Sequence, residues 1–253
     1  MVTDSREVLV FADYEQMVKS AVDKWLAMAS EAIAHEGRFT VALSGGKTPV
    51  GFYRELARCN QRIAWDKIHL FLADERFVPF DVESSNYRMI KENLLDSVAV
   101  PAENIHPIST KEPTPDLSAK RYEDHLRDFF KLRIGELPTF YLIMLGIGED
   151  GHTASLFPET VLWTGKNHLV VPVRNKKLSS ERISLSMPVI NSAKNVIFLV
   201  SGKKKAWIIK EIVEKNNESA PAALVRPKQG TTMFLLDADA GRDISLHDKR
   251  FSL

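Results

Sequence analysis

Residues Phe140-Tyr-Leu-Ile-Met-Leu145 are a run of consecutive apolar positions that ends at Gly146. A strand with one face in water alternates apolar and polar residues, so an unbroken run belongs to a strand covered on both faces. Helices are the usual cover, so this segment points to a parallel sheet sandwiched between helices. The rest of the chain repeats the theme. Val8–Phe11, Phe39–Leu43, Ile68–Ala73, Leu169–Val173, Ile183–Ser186, Val196–Val200 and Met233–Leu236 read as strands. Tyr14–His35, Val50–Arg58, Ser84–Leu95, Leu117–Leu132 and Lys203–Glu214 read as helices. In the first of these Met17, Ala21, Trp25 and Met28 recur at helical spacing, and Gly37 stands in a stop position. This alternation predicts an α/β fold: a doubly wound, mostly parallel sheet with helices on both faces, Rossmann-like in arrangement.

One domain over residues 1–253 is the expectation, because that length fits a single α/β domain. The segment with linker character, Ser109–Pro115, is short, and the strand–helix rhythm resumes after it. Lys and Arg total 34 against 33 Asp and Glu, a net charge of +1, so no whole-molecule field favours nucleic acid or an anionic membrane as partner. Cys59 is the single cysteine, which leaves no intrachain disulfide and no CxxC pair for zinc. The histidines His35, His69, His106, His125, His168 and His247 lack paired spacing such as HExxH, so no metal is expected. Met1–Glu7 lacks the basic and apolar regions of a signal peptide, and no apolar run approaches the roughly 18 residues of a membrane span. A cytoplasmic location follows as an expectation. No helix shows a sustained heptad pattern, and a monomer is favoured.

In a doubly wound sheet, ligands bind beyond the carboxyl ends of the strands. The turns after Leu43, Ala73 and Leu145 are therefore where chemistry belongs. The first is Ser44-Gly-Gly-Lys-Thr-Pro49. Its glycines let backbone N–H groups approach an anion, and Pro49 suits the first turn of a helix. It is neither a P-loop, since Val41 stands where the first Gly is required, nor a nucleophile elbow, since Ala42 replaces the first Gly of GxSxG. The second turn, Ala73-Asp-Glu-Arg-Phe-Val78, reads as a solvated loop, or as a site in which Arg76 pairs with an anion and Asp74 orients a partner.

The third turn, Gly146-Ile-Gly-Glu-Asp-Gly151, matches the dinucleotide pattern GxGxxG literally. Its context does not fit. Pro158 interrupts any long helix, Val171 stands where an acidic residue should bind ribose, and Asp150 repels a pyrophosphate. What remains is a turn presenting Asp150 and His152, a carboxylate and a candidate general base. Further cationic candidates stand at other strand ends: Arg182, and the run Lys203-Lys204-Lys205 after Gly202.

Together these segments resemble the 6-phosphogluconolactonases, which belong with the glucosamine-6-phosphate deaminases in one superfamily. The matching pieces are Ser44–Pro49, Asp74–Pro79 with Ser85-Asn86, and Gly146–Pro158. Weaker matches are Arg182 with Ser184–Pro188, Gly202–Ala206, and Leu236-Asp237. The resemblance spans about residues 40 to 240. It implies hydrolysis of 6-phospho-D-glucono-1,5-lactone to 6-phosphogluconate in the oxidative pentose phosphate pathway, with no cofactor and a small sugar phosphate as the partner. It also implies that His152 is the general base, with Asp150 as its acidic neighbour and Asp74 facing the sugar end. Ser44, Gly45, Gly46, Lys47, Thr48, Arg76, Arg182 and Lys205 become the phosphate- and substrate-binding set. The deaminase sister carries a Glu five residues after the motif His and a Tyr after Asp-Glu. Here Phe157 and Arg76 stand there, favouring the lactonase. A serine esterase using Ser44 and a non-catalytic sugar-phosphate-binding module are the remaining alternatives.

Overall fold

The computed structural model describes residues 6–158, 168–174, 179–228, 230–245 and 250–251; His247 lies outside them. Its first half runs β1 (Arg6–Phe11), α1 (Tyr14–Glu36), β2 (Phe39–Leu43), α2 (Pro49–Arg58), β3 (Ile68–Leu72), β4 (Asp74–Arg76), α3 (Asn86–Asn93), β5 (Ile105–His106) and α4 (Pro115–Phe130). The second half adds β6 (Leu142–Leu145), β7 (Val170–Val173), β8 (Arg182–Leu185), α5 (Met187–Ile190), β9 (Asn195–Val200), α6 (Ala206–Val213), β10 (Thr231–Asp237) and β11 (Arg250–Phe251).

Local chemistry sets the helix ends. Before α1, the Asp13 carboxylate accepts the Gln16 N–H at 2.8 Å; after it, Gly37 takes φ 74 and donates to the Ile33 carbonyl at 3.0 Å. Pro49 and Pro115 open α2 and α4, where a missing N–H costs nothing. Trp25 of α1 is fully buried edge-on against Phe39 of β2, ring centroids 5.1 Å apart, which locks this helix onto the sheet.

The main sheet has the order β11-β1-β10-β9-β6-β2-β3-β5, and all its ladders are parallel. Every residue of β2 and of β6 is buried, as an unbroken apolar strand requires. The fold is the expected α/β class, doubly wound with helices on both faces. After β2 the chain moves to β3 and β5 on one side; after β6 it moves to β9 and β10 on the other. The neighbours β2 and β6 therefore mark the switch point, and the turns leaving them open a crevice.

A second, antiparallel sheet of order β4-β8-β7 was not expected. Asp74-Glu-Arg76 reads as a charged turn but is a strand that continues β3 after the single residue Ala73. Glu75 explains the difference. It is fully buried, and its carboxylate accepts the N–H groups of Arg76, Asn86 and Tyr87 at 2.7–2.8 Å and the Ser85 hydroxyl at 3.1 Å. Hydropathy cannot register a charge buried behind four hydrogen bonds. Glu123 of α4 ties this sheet down, accepting the Leu169 N–H at 2.9 Å just before β7.

Two smaller differences concern the edges. Lys203–Lys205 form a single 3-10 turn, and the regular helix begins at Ala206. Three histidines are hydrogen-bonded in series at the β5 edge: His69 Nδ1 to His106 Nε2 at 3.1 Å, and His106 Nδ1 to His125 Nε2 at 2.8 Å. Burial first, and then its two neighbours, hold the His106 imidazole down to about 3, so it is neutral. Among the described residues no helix is long and apolar enough to cross a membrane.

Candidate active site

A cleft of about 990 Å³ opens at the switch point. Of the residues singled out from sequence, Ser44, Gly45, Gly46, Lys47, Thr48, Asp74, Arg76, His152, Arg182 and Lys205 line it. Asp150 stands behind His152 rather than in the lining.

The turn after β6 is a device for presenting one imidazole. Gly148 N–H donates to the His152 carbonyl at 2.8 Å, Gly151 N–H to the Gly148 carbonyl at 3.1 Å, and Thr153 Oγ1 to the Gly146 carbonyl at 2.9 Å. Gly151 sits at φ 82, the left-handed region that glycine adopts freely. Folded this way, Asp150 Oδ1 lies 2.6 Å from His152 Nδ1 and also accepts the His152 backbone N–H at 3.1 Å. Burial alone would raise the Asp150 carboxyl. The hydrogen bond and charge of His152, helped by backbone donors, outweigh it and hold the carboxyl down to about 2.

A carboxylate has no proton to give, so Nδ1 carries the hydrogen of this contact, and the tautomer with its lone pair on Nε2 is the form that can act as a base. The Phe157 ring packs on the imidazole with centroids 4.4 Å apart and fixes its plane. A cavity-facing nitrogen of this kind is suited to take a proton from water.

The small sheet supplies a cationic wall. Arg76 of β4 and Arg182 of β8 are directly paired across the strands. Like charges so placed repel, and burial followed by Arg76 lowers the Arg182 pKa, with Asp74 and Glu75 opposing. Both guanidinium Nε atoms are buried with no hydrogen-bond partner among the described residues. An arrangement that costs stability and leaves donors free is one that an anion completes. Asp74 on the same strand is buried and held by Ser155 Oγ at 2.5 Å and Asn86 Nδ2 at 3.1 Å.

The turn after β2 faces this wall. Gly46 takes φ 103, and among the described residues the buried Ser44 hydroxyl has no hydrogen-bond partner, neither His152 nor any other base. A nucleophilic serine needs such a base. Lys205 is half-buried; desolvation depresses its ammonium pKa while Glu149 and Asp150 raise it. Lys203 and Lys204 are exposed beside it. Sequence reasoning assigned no role to Asn86, Ser155, Glu149, Asp239 or Arg242, which also line the cleft. Ser155 lies three residues beyond His152 in the matching segment, which was its only signal; Arg242 follows β10 in no motif.

The sequence pattern of the glucosamine-6-phosphate isomerases/6-phosphogluconolactonase family matches residues 12–234, and the chain belongs to that family. A 6-phosphogluconolactonase of a Nostoc species is 40% identical over 95% of this chain and 99% of its own. One of a Synechocystis species is 40% identical over 94% and 98%. The crystal structure of 6-phosphogluconolactonase from Thermotoga maritima superimposes with a TM-score of 0.80 at 31% identity, over 92% of this chain and 99% of that one. With these relatives the chain is a hydrolase of the 6-phosphogluconolactonase type.

Proposed function

We propose that the cleft hydrolyses 6-phospho-D-glucono-1,5-lactone to 6-phospho-D-gluconate with His152 as general base. The observation that carries this is the Asp150–His152 pair, with Nδ1 engaged at 2.6 Å and Nε2 without a hydrogen bond among the described residues. Nε2 removes a proton from water as the water oxygen attacks C1. The tetrahedral oxyanion then collapses, the C1–ring oxygen bond breaks, and the proton held by His152 passes to the departing ring oxygen. A δ-lactone is an activated ester, so positioning plus a base worth about 10²–10⁴-fold suffices without a covalent intermediate. Asp74 faces the sugar end. Ser44, Gly45, Gly46, Lys47 and Thr48 form a backbone cradle, and Arg76, Arg182 and Lys205 hold the phosphate. That group supplies binding energy remote from the reacting carbon.

We read the protein as a single domain over residues 1–253 that acts as a monomer, since no helix shows a sustained heptad pattern. The near-zero net charge supports a small-molecule substrate rather than nucleic acid or an anionic membrane. No cofactor enters the scheme. The direct test is a coupled assay with freshly made lactone, corrected for spontaneous hydrolysis, run beside glucosamine-6-phosphate. Turnover of the first alone is expected; deamination of the second without lactone hydrolysis would overturn the reading.

Arg182→Ala tests the phosphate wall. A charged hydrogen bond is worth about 1.5–3 kcal/mol, so KM should rise about 10–100-fold while kcat changes far less. An unchanged KM removes Arg182 from the phosphate site.

A further inference from the structure

We propose that Asn86 is the positioning residue that fixes Arg76 and Asp74 relative to each other, and that residue 45 is glycine because Asn86 fills its side-chain space. The proposal rests on the reading of Arg76 as a phosphate contact.

Asn86 is the first residue of α3, following the cap Ser85, whose Oγ accepts the Arg88 N–H at 3.2 Å. It is 1% exposed. Its Oδ1 accepts from Arg76 Nη1, while its Nδ2 donates to the Asp74 carbonyl at 2.9 Å and to Asp74 Oδ1 at 3.1 Å. One carboxamide therefore bridges a cation and an anion with the right polarity on each side. Aspartate in its place offers no donor to Asp74 and sets two carboxylates side by side. Leucine offers neither bond.

The bridge also selects which edge of Arg76 is free. Nη1 is taken by Asn86 and by the Ser84 carbonyl at 2.8 Å, whereas Nε has no partner among the described residues. On the far side, Asp74 Oδ2 accepts from Ser155 Oγ at 2.5 Å, and the Ser155 N–H donates to Ser184 Oγ at 3.2 Å. A continuous array thus runs Arg76–Asn86–Asp74–Ser155, from the cationic wall to the segment that carries His152. Its third anchor is the loop after β2. A Cβ built on Gly45 falls 1.7 Å from Asn86 Oδ1 and 2.2 Å from its Cγ. That amide is held by bonds on both of its heteroatoms, so it cannot yield cheaply.

The test is a kinetic cycle on 6-phosphogluconolactone with Asn86→Asp, Arg76→Ala and the double variant. A carboxylate at 86 captures the Arg76 charge, so each single change should raise KM about tenfold or more. In KM the double variant should stay within about twofold of Arg76→Ala alone, because Asn86 reaches the phosphate only through Arg76, while loss of its bonds to Asp74 should appear in kcat. A role confined to folding would lower the active fraction and leave KM unmoved. Asn86→Ala, run through the same cycle, serves if the aspartate variant does not fold. Multiplying effects on KM in the double variant would overturn the proposal. So would an unchanged KM in the Asn86 variants beside a raised KM in Arg76→Ala, which leaves the phosphate reading intact. An unchanged KM in Arg76→Ala would remove that reading and this inference with it.

Discussion

Replacing His152 with alanine should lower kcat by about 10²–10⁴-fold and leave KM within about threefold of its starting value. The imidazole is a third exposed, at the cleft wall, and its hydrogen bonds run to Asp150 and not to the cationic wall. On the proposed reading, removing it takes away the proton acceptor but not the groups assigned to the phosphate. The residual rate should come from binding and positioning alone. Steady-state kinetics with the spontaneous rate subtracted separates the two constants. Normal turnover by the alanine variant would end the assignment of His152 as base.

The second large effect should come from one methyl group that touches no substrate. A Cβ on Gly148 would fall 2.0 Å from His152 Nδ1 and 2.4 Å from Asp150 Oδ1, so Gly148→Ala must drive the pair apart. A displacement near 1 Å at a catalytic group can cost about 10²-fold, and kcat should fall by that order. The collision is with the ends of two side chains rather than with backbone, so the fold should survive. Thermal unfolding of the variant should stay close to that of the parent while turnover collapses. Wild-type kcat in Gly148→Ala would show that the Asp150–His152 contact is not needed for the reaction.

Much of this molecule is written in short-range pattern. Phe140–Leu145 declares a doubly covered strand in six residues, and Asp150 and His152 are legible because they share one glycine turn. What escaped the sequence is what long-range geometry decides. β4 is missed because Glu75 hides its charge against the start of α3. The pairing of Arg76 with Arg182 is a matter of strand register, which no motif encodes. Asn86 acquires meaning only where it meets Gly45, and the histidine series joins positions 37 and 19 residues apart. Periodicity reports which face of an element is covered; it does not report which two elements a single amide will join.

The facing guanidinium groups have a thermodynamic corollary. With Arg76 and Arg182 opposed and their Nε atoms unpaired, the empty cleft is less stable than the same fold would be with neutral residues there. A phosphorylated ligand bound by the folded chain and not by the unfolded one reverses that deficit by mass action. At a hundredfold excess over Kd the gain is about 2.7 kcal/mol. If the two arginines hold the phosphate as proposed, resistance to heat and proteolysis should rise with the supply of substrate.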